Sequence, residues 1–221
     1  MLKKWLIGSL MIALFFMSSA TPSYAFWWMG YHKPAFKGKV IDAATKEPIE
    51  GAVVVVVYSK TAIRIGPESN TITMDVREAL TDKEGIFSIP SYTTIIDPLA
   101  WEDLASFINF KPGYGSFPDW RVLPSKGTEV HFEDFFSDDF GKEKEVLWRE
   151  PWKVGAESKK IKVTFGVVEL PPLRTREERE KKGLHSRPDP TIPDYKVKNL
   201  MKAINEENAF LGFPLYKLED K

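Results

Sequence analysis

The chain has 221 residues, 31 basic and 31 acidic side chains, and no cysteine. A formal net charge of zero leaves no electrostatic footprint for nucleic acid, and the lack of cysteine removes thiol nucleophiles, disulfides and thiolate metal sites together. With 43% hydrophobic and 28% charged residues the composition is that of a folded globular protein, so stability must come from packing.

Lys3 and Lys4, the apolar run from Trp5 to Met17, and Ser23-Tyr24-Ala25 have the layout of a secretory leader, residues 1–25, cleaved after Ala25. The apolar run is shorter than the roughly 20 residues of a spanning helix. The expectation is an exported chain, periplasmic or extracellular. Residues 26–35 then open with Phe26-Trp27-Trp28-Met29-Gly30-Tyr31. So aromatic a start should tuck against the domain. Any membrane contact, with Trp and Tyr at headgroup level, is expected through this segment alone.

Phe36 to Asp42 alternates, with Phe36, Gly38, Val40 and Asp42 on one face, and reads as a first strand ending in a turn from Ala43 to Pro48. Gly51 to Tyr58 is dense in β-branched residues and reads as a central strand. Val53, Val55 and Val57 oppose Val54, Val56 and Tyr58, so both faces are apolar. Something must cover the outer face: the aromatic start, a helix, or a partner protein. Exposure of Val54 and Val56 would favour a partner, and cover from within the chain would weaken that reading. Thr71 to Thr81 continues the pattern through Ile72, Met74 and Val76 until parity would bury Glu78; a bulge near Arg77 and Glu78 would instead turn Ala79 inward. Asp82-Lys83-Glu84-Gly85 is expected to close a hairpin onto Ile86 to Ile89.

Phe36-Lys37-Gly38-Lys39-Val40-Ile41-Asp42, Pro48-Ile49-Glu50-Gly51-Ala52-Val53 and Ala79-Leu80-Thr81-Asp82-Lys83-Glu84-Gly85-Ile86-Phe87 together resemble the carboxypeptidase regulatory-like domain. Lys111-Pro112-Gly113-Tyr114 resembles the glycine-tyrosine pair that enters a later strand of that family. The resemblance implies an all-β, seven-stranded, transthyretin-like Greek-key sandwich over residues 36–172. Two departures stand out. Lys46 occupies a position where members usually have Gly, so that turn either strains a non-Gly residue or changes shape. Tyr92 to Phe110 is long and contains Asp97-Pro98 ahead of Leu99 to Leu104, which predicts a short inserted helix with Asp97 as its cap.

Phe117 to Ala156 reads as loop, and Phe107 to Phe110 and Lys159 to Leu170 as the strands that close the sandwich before Pro171 and Pro172. Residues 173–221 form a helical extension. Leu173 to Lys182 pairs Glu177 with Lys181 and Glu178 with Lys182 at helical spacing. Ser186 to Pro193 is an extended linker, after which Asp194 can cap a final helix carrying Val197, Leu200, Met201, Ile204 and Leu211, expected to dock in cis.

Glu133, Asp134, Asp138 and Asp139 could offer oxygen ligands to calcium, without the spacing of an EF-hand loop. Tyr114, Trp120, Trp148 and Trp152 could stack on sugar rings, although aromatic side chains more often pack. His32, His131 and His185 fall in no His-Glu-x-x-His motif, and neither a Gly-x-Ser-x-Gly elbow nor a phosphate loop occurs. Related folds host hydroxyisourate hydrolases, but the chain ends Leu218-Glu219-Asp220-Lys221 where those end Tyr-Arg-Gly-Ser. No catalytic residue, cofactor or resident metal is assigned. The expected function is a noncatalytic module for protein interaction or scaffolding in the cell envelope. A glycan- or calcium-binding accessory domain, with polysaccharide as partner, is the alternative, and an enzyme comes third.

Overall fold

The computed structural model describes residues 29–62, 70–118, 130–137, 139–149, 155, 157–186 and 192–218. The leader 1–25 and the run Phe26 to Trp28 lie outside them. The described chain is mostly β. In order it forms β1 (Gly30–Lys33), β2 (Phe36–Asp42), β3 (Val53–Ala62), β4 (Asn70–Leu80), β5 (Ile86–Ile89), β6 (Tyr92–Ile95), β7 (Ala100–Glu102) and β8 (Ser106–Phe110). Helix α1 (Phe132–Phe136), β9 (Glu143–Trp148), β10 (Lys159–Thr164), β11 (Val167–Leu170), α2 (Arg176–Lys182), a 3₁₀ turn (Asp194–Lys196) and α3 (Lys198–Leu211) follow.

Strand β2 lies between β5, antiparallel, and β11, parallel. Strand β3 is the centre of a second sheet, with β4 on one side and β8 then β7 on the other. Phe36, Val40, Phe87, Ile89, Val168 and Leu170 of the first sheet share one buried cluster with Val54, Val56, Tyr58 and Phe107 of the second. Phe136 of α1 plugs this core, its ring 4.6 Å from Phe107 and 5.5 Å from Phe87.

The β-branched run of β3 is buried on both faces. The outer face is not that of Val54 and Val56, as expected, but the opposite one: Val54 and Val56 point into the shared core because the first sheet packs on them, and Val53, Val55 and Val57 with Val76 and Phe110 form the face that needed cover. That cover is α3 and the segment leading to it, through Ile192, Val197, Leu200, Met201, Ala203 and Ile204. Each Val side chain removed from water in this way contributes about 1.5 kcal/mol or more. The cis docking expected of the final helix therefore solves the problem posed by the Val run. Cover from within the chain, now on the face of Val53, Val55 and Val57, weakens the reading of a partner there.

Glu78 corrects the predicted bulge. It stands opposite Val55 with parity kept, and the irregularity lies earlier, between Tyr58 and Ser59, where the register passes over Met74. A carboxylate is tolerated on the apolar face because it accepts the N–H groups of Asn199 at 2.9 Å and Leu200 at 3.2 Å, in the first turn of α3. Burial pushes the Glu78 carboxyl above its usual value, against the pull of those two N–H donors. Glu78 thus does the capping expected of Asp194, which instead opens the 3₁₀ turn; Val197, the cap residue by position, makes no side-chain cap bond. Glu78→Ala should cost about 1–2 kcal/mol, the scale of a lost N-cap, in urea unfolding. It should also speed amide exchange in the first turn of α3 more than in β2.

Four further expectations are corrected. The Asp82–Gly85 turn forms, with the Gly85 N–H donating to Asp82 O at 2.9 Å, but β5 pairs with β2, so the turn carries the chain from one sheet to the other. Asp97 to Leu104 is not helical: a turn at Asp97 leads into β7, which pairs with Lys60 to Ala62. The cause is the length of β3, whose far end extends past β8 and would otherwise leave backbone groups unpaired. Lys159 to Leu170 is two strands, broken at Phe165 and Gly166, with Gly166 at φ +77°; β10 pairs with β9, and β11 alone joins β2. The region from Phe117 to Ala156 contains α1 and β9 as well as loop.

Lys46 adopts the left-handed conformation, φ +64°, so the turn keeps the shape a glycine would favour and strains a lysine. The two N–H groups before it, of Ala44 and Thr45, donate to Asp42 Oδ1. Its ammonium reaches Glu169 at 2.6 Å in an exposed pair that adds little. Lys46→Gly should raise stability by up to about 1 kcal/mol, seen as a higher urea midpoint with unchanged slope.

Candidate interaction surface

The acidic cluster is divided among lysines. Glu133 in α1 pairs with buried Lys33 at 2.6 Å and accepts the Ala105 N–H, while Lys33 also reaches Glu102 at 2.8 Å. Asp139 pairs with Lys142 at 2.9 Å and with Lys144, and these hydrogen bonds hold its carboxyl below the usual range. Asp134 sits in the first turn of α1, where its carbonyl accepts from Ser137 Oγ at 3.2 Å. Asp138 lies outside the described residues. Among the described residues no group of three or more His, Asp and Glu stands together as a metal site. Lys33, the neutralising group for Glu133, lies far upstream in the sequence, so local spacing could not reveal it.

Of the aromatic set, Trp120 and Trp152 lie outside the described residues. Tyr114 donates its hydroxyl to Asp42 Oδ2 at 3.1 Å, and burial followed by that carboxylate raises its pKa. Trp148 is on β9, with the Lys159 ammonium 4.5 Å from its ring. The structure does not bring these two rings onto one platform. The histidines are also separate: His32 contacts Thr93 at 2.7 Å from β1, His131 precedes α1, and His185 contacts Glu180 O at 3.0 Å and stacks edge-on with Phe213.

The feature that the sequence reading missed lies at the end of α3. The helix stops at Gly212, φ +73°, with the Phe213 N–H donating to Asn208 O at 2.8 Å and the Gly212 N–H to Ala209 O at 3.3 Å, the bonding of a Schellman cap. The chain then doubles back along the helix. The Asn205 amide grips the backbone of Tyr216 in both directions, Nδ2 to O and N to Oδ1, each at 2.8 Å. Asn208 Nδ2 donates to Pro214 O at 3.2 Å. Asn205 and Asn208 are three residues apart and so fall on one helical face.

With its backbone fastened in this way, the segment presents Phe213, Leu215 and Tyr216, beside Phe210 on the helix, at 36 to 58% exposure. The base beneath is rigid. Glu207, fully buried, accepts Arg179 Nε at 2.7 Å, a second bond from Arg179 Nη2, and the Gly113 N–H at 2.8 Å. The Arg179 guanidinium, its pKa raised by Glu207, lies 3.7 Å from the centre of the Phe210 ring. Helix α2 is set for this contact by the Thr175 and Glu178 capping box. A fixed apolar ridge of this kind loses little conformational entropy when it docks. Its signal in the sequence was the Gly212-Phe213-Pro214 stop, followed by apolar residues that no helix period explains.

Comparison of the chain with protein-family models, with curated proteins and with solved structures finds no match.

Proposed function

We propose that this chain is an exported, noncatalytic β-sandwich module that works by protein contact in the cell envelope. Its fold would be the seven-stranded transthyretin-like Greek key of carboxypeptidase regulatory-like domains. The fold reading is supported by the Asp82–Gly85 turn into β5, within the stretches that carry the resemblance, and by the turn at Lys46 between β2 and β3, which keeps a left-handed shape although the residue departs from the family's glycine. The export reading rests on Lys3, Lys4 and the apolar run up to Met17.

The observation that carries the functional reading is the C-terminal ridge: Phe210, Phe213, Leu215 and Tyr216 face solvent from a backbone clamped by Asn205 and Asn208. The partner would be a protein with an apolar groove that receives the extended segment. Capture from native envelope extract, comparing the unaltered chain with Leu215→Glu, tests the reading. A protein retained by the first and lost from the second, with the melting temperature unchanged, is the expected result. Equal retention by both, or by neither, contradicts it.

A further inference from the structure

We infer that Lys33 and Glu133 condense to an intramolecular amide, with Glu102 carrying the protons. The three side chains meet where the end of β1, the first turn of α1 and the end of β7 converge. Lys33 Nζ lies 2.6 Å from Glu133 Oε1 and 2.8 Å from Glu102 Oε1. The Lys33 side chain is 3% exposed, that of Glu133 15% and that of Glu102 36%. The Tyr31 ring, two residues along the same strand, stands 5.5 Å from the ammonium.

Three observations favour reaction over a resting ion pair. The first is fixation. Burial holds the amine against the carboxyl group, whose carbon lies one C–O bond beyond the oxygen already in contact, and groups held this way react as if highly concentrated. The second is polarisation. Glu133 Oε1 also accepts the Ala105 N–H, a backbone donor placed where negative charge would build as the amine adds. The third is charge. With each group in its ordinary ionised form, one ammonium serves two carboxylates, and burying charge is costly. Condensation removes the two most deeply buried charges and leaves the third on Glu102, the member that water reaches. This order of exposure assigns the roles: Lys33 is the nucleophile, Glu133 the electrophile and Glu102 the proton carrier.

The step balances without a co-reactant. A proton passes from the Lys33 ammonium to Glu102, and the freed nitrogen lone pair forms a C–N bond to the Glu133 carboxyl carbon. Charge develops on Oε1 beside the Ala105 N–H. The bond from that carbon to Oε2 then breaks, and Oε2 leaves as water. Both of the protons it takes come from the nitrogen, by way of Glu102, which ends as it began. One ammonium and one carboxylate thus become one amide and one water, with nothing oxidised or reduced. The chain consumes only itself, so this single event goes beyond the proposed contact role without making the module an enzyme. The bond would tie β1 to the helix whose Phe136 plugs the core, across about 100 residues of sequence. In a chain without cysteine it supplies the covalent closure that a disulfide would otherwise give.

The full chain is purified, denatured and digested with chymotrypsin, and the peptides are weighed and fragmented in a mass spectrometer. The expected product is a branched peptide joining Lys33 to Glu133, lighter by one water than its two linear components together. Glu102→Gln keeps the shape of the side chain but cannot ferry protons. It should melt cooperatively yet release the two linear peptides, and on a denaturing gel it should run behind the unaltered chain, whose loop stays closed. Recovery of only linear peptides from the unaltered chain overturns the inference. So does a branch from Lys33 to Glu102, which reverses the two carboxylates, or a branch formed equally well by Glu102→Gln, which leaves Glu102 no part in the reaction.

Discussion

Val55→Asp should unfold the domain or bring it to the edge of unfolding. Val55 is fully buried, opposite Glu78 on β4 and Ile108 on β8, beneath the residues of α3. An aspartate there is buried among apolar side chains and lies across from a carboxylate that burial already disfavours. An uncompensated buried charge costs about 3–5 kcal/mol, which is a large part of the 5–15 kcal/mol that holds a typical domain together. Asp139→Asn, on a half-buried carboxylate paired with surface lysines, should change stability by less than about 0.5 kcal/mol. Urea unfolding of the two variants checks this, and equal tolerance of both contradicts the assignment of the core.

Arg179→Ala should cost about 3 kcal/mol, far more than an ordinary surface pair. Removing the guanidinium leaves buried Glu207 with only the Gly113 N–H at 2.8 Å, and it also strips the cation from the face of Phe210. The double replacement Arg179→Met with Glu207→Leu should recover most of the loss, because two apolar side chains need no pairing. The recovery should fall short by about 1 kcal/mol for the Gly113 N–H left without an acceptor. A double-mutant cycle by chemical denaturation reads the coupling directly. Additive single losses would show that Arg179 and Glu207 do not depend on each other.

The strands most readable from sequence were those whose partners do not alter their pattern. Phe36 to Asp42 alternates because β2 has one face in the shared core, and the Val run is continuous because both of its faces are buried. What the pattern could not carry was the identity of distant neighbours. Which face of β3 looks inward depends on the first sheet, whose β5 and β11 come later in the chain, and on α3, which comes later still. Glu78 looked like an error of parity because the helix that needs its carboxylate begins about 120 residues on, at Lys198. The pattern from Ile161 to Val167 looked like one strand because Gly166, the turn residue, falls where a polar residue would alternate. Asp97-Pro98 has the chemistry of a helix start, but the unpaired end of β3 draws Ala100 to Glu102 into a sheet.

The candidate surfaces were less readable still, for a related reason. Acidic and aromatic clusters are conspicuous in a sequence, but Glu133 belongs to Lys33 and Tyr114 to Asp42, partners far away in the chain. The ridge is inconspicuous because its defining contact is between the Asn205 side chain and the Tyr216 backbone, and no residue pattern encodes a backbone acceptor.

The most direct measurement is the labelling rate of a thiol at position 55. Val55→Cys is a small change within an apolar site, and with no native cysteine its reaction with an alkylating reagent reports solvent access to the outer face of β3 alone. If α3 seals that face, labelling under native conditions proceeds only as fast as the protein opens, many orders of magnitude below a free thiol, and rises to the free rate in urea. Labelling at the rate of an exposed thiol in the folded protein would show that the Val face is open. The place to look for the partner would then return from the C-terminal ridge to β3.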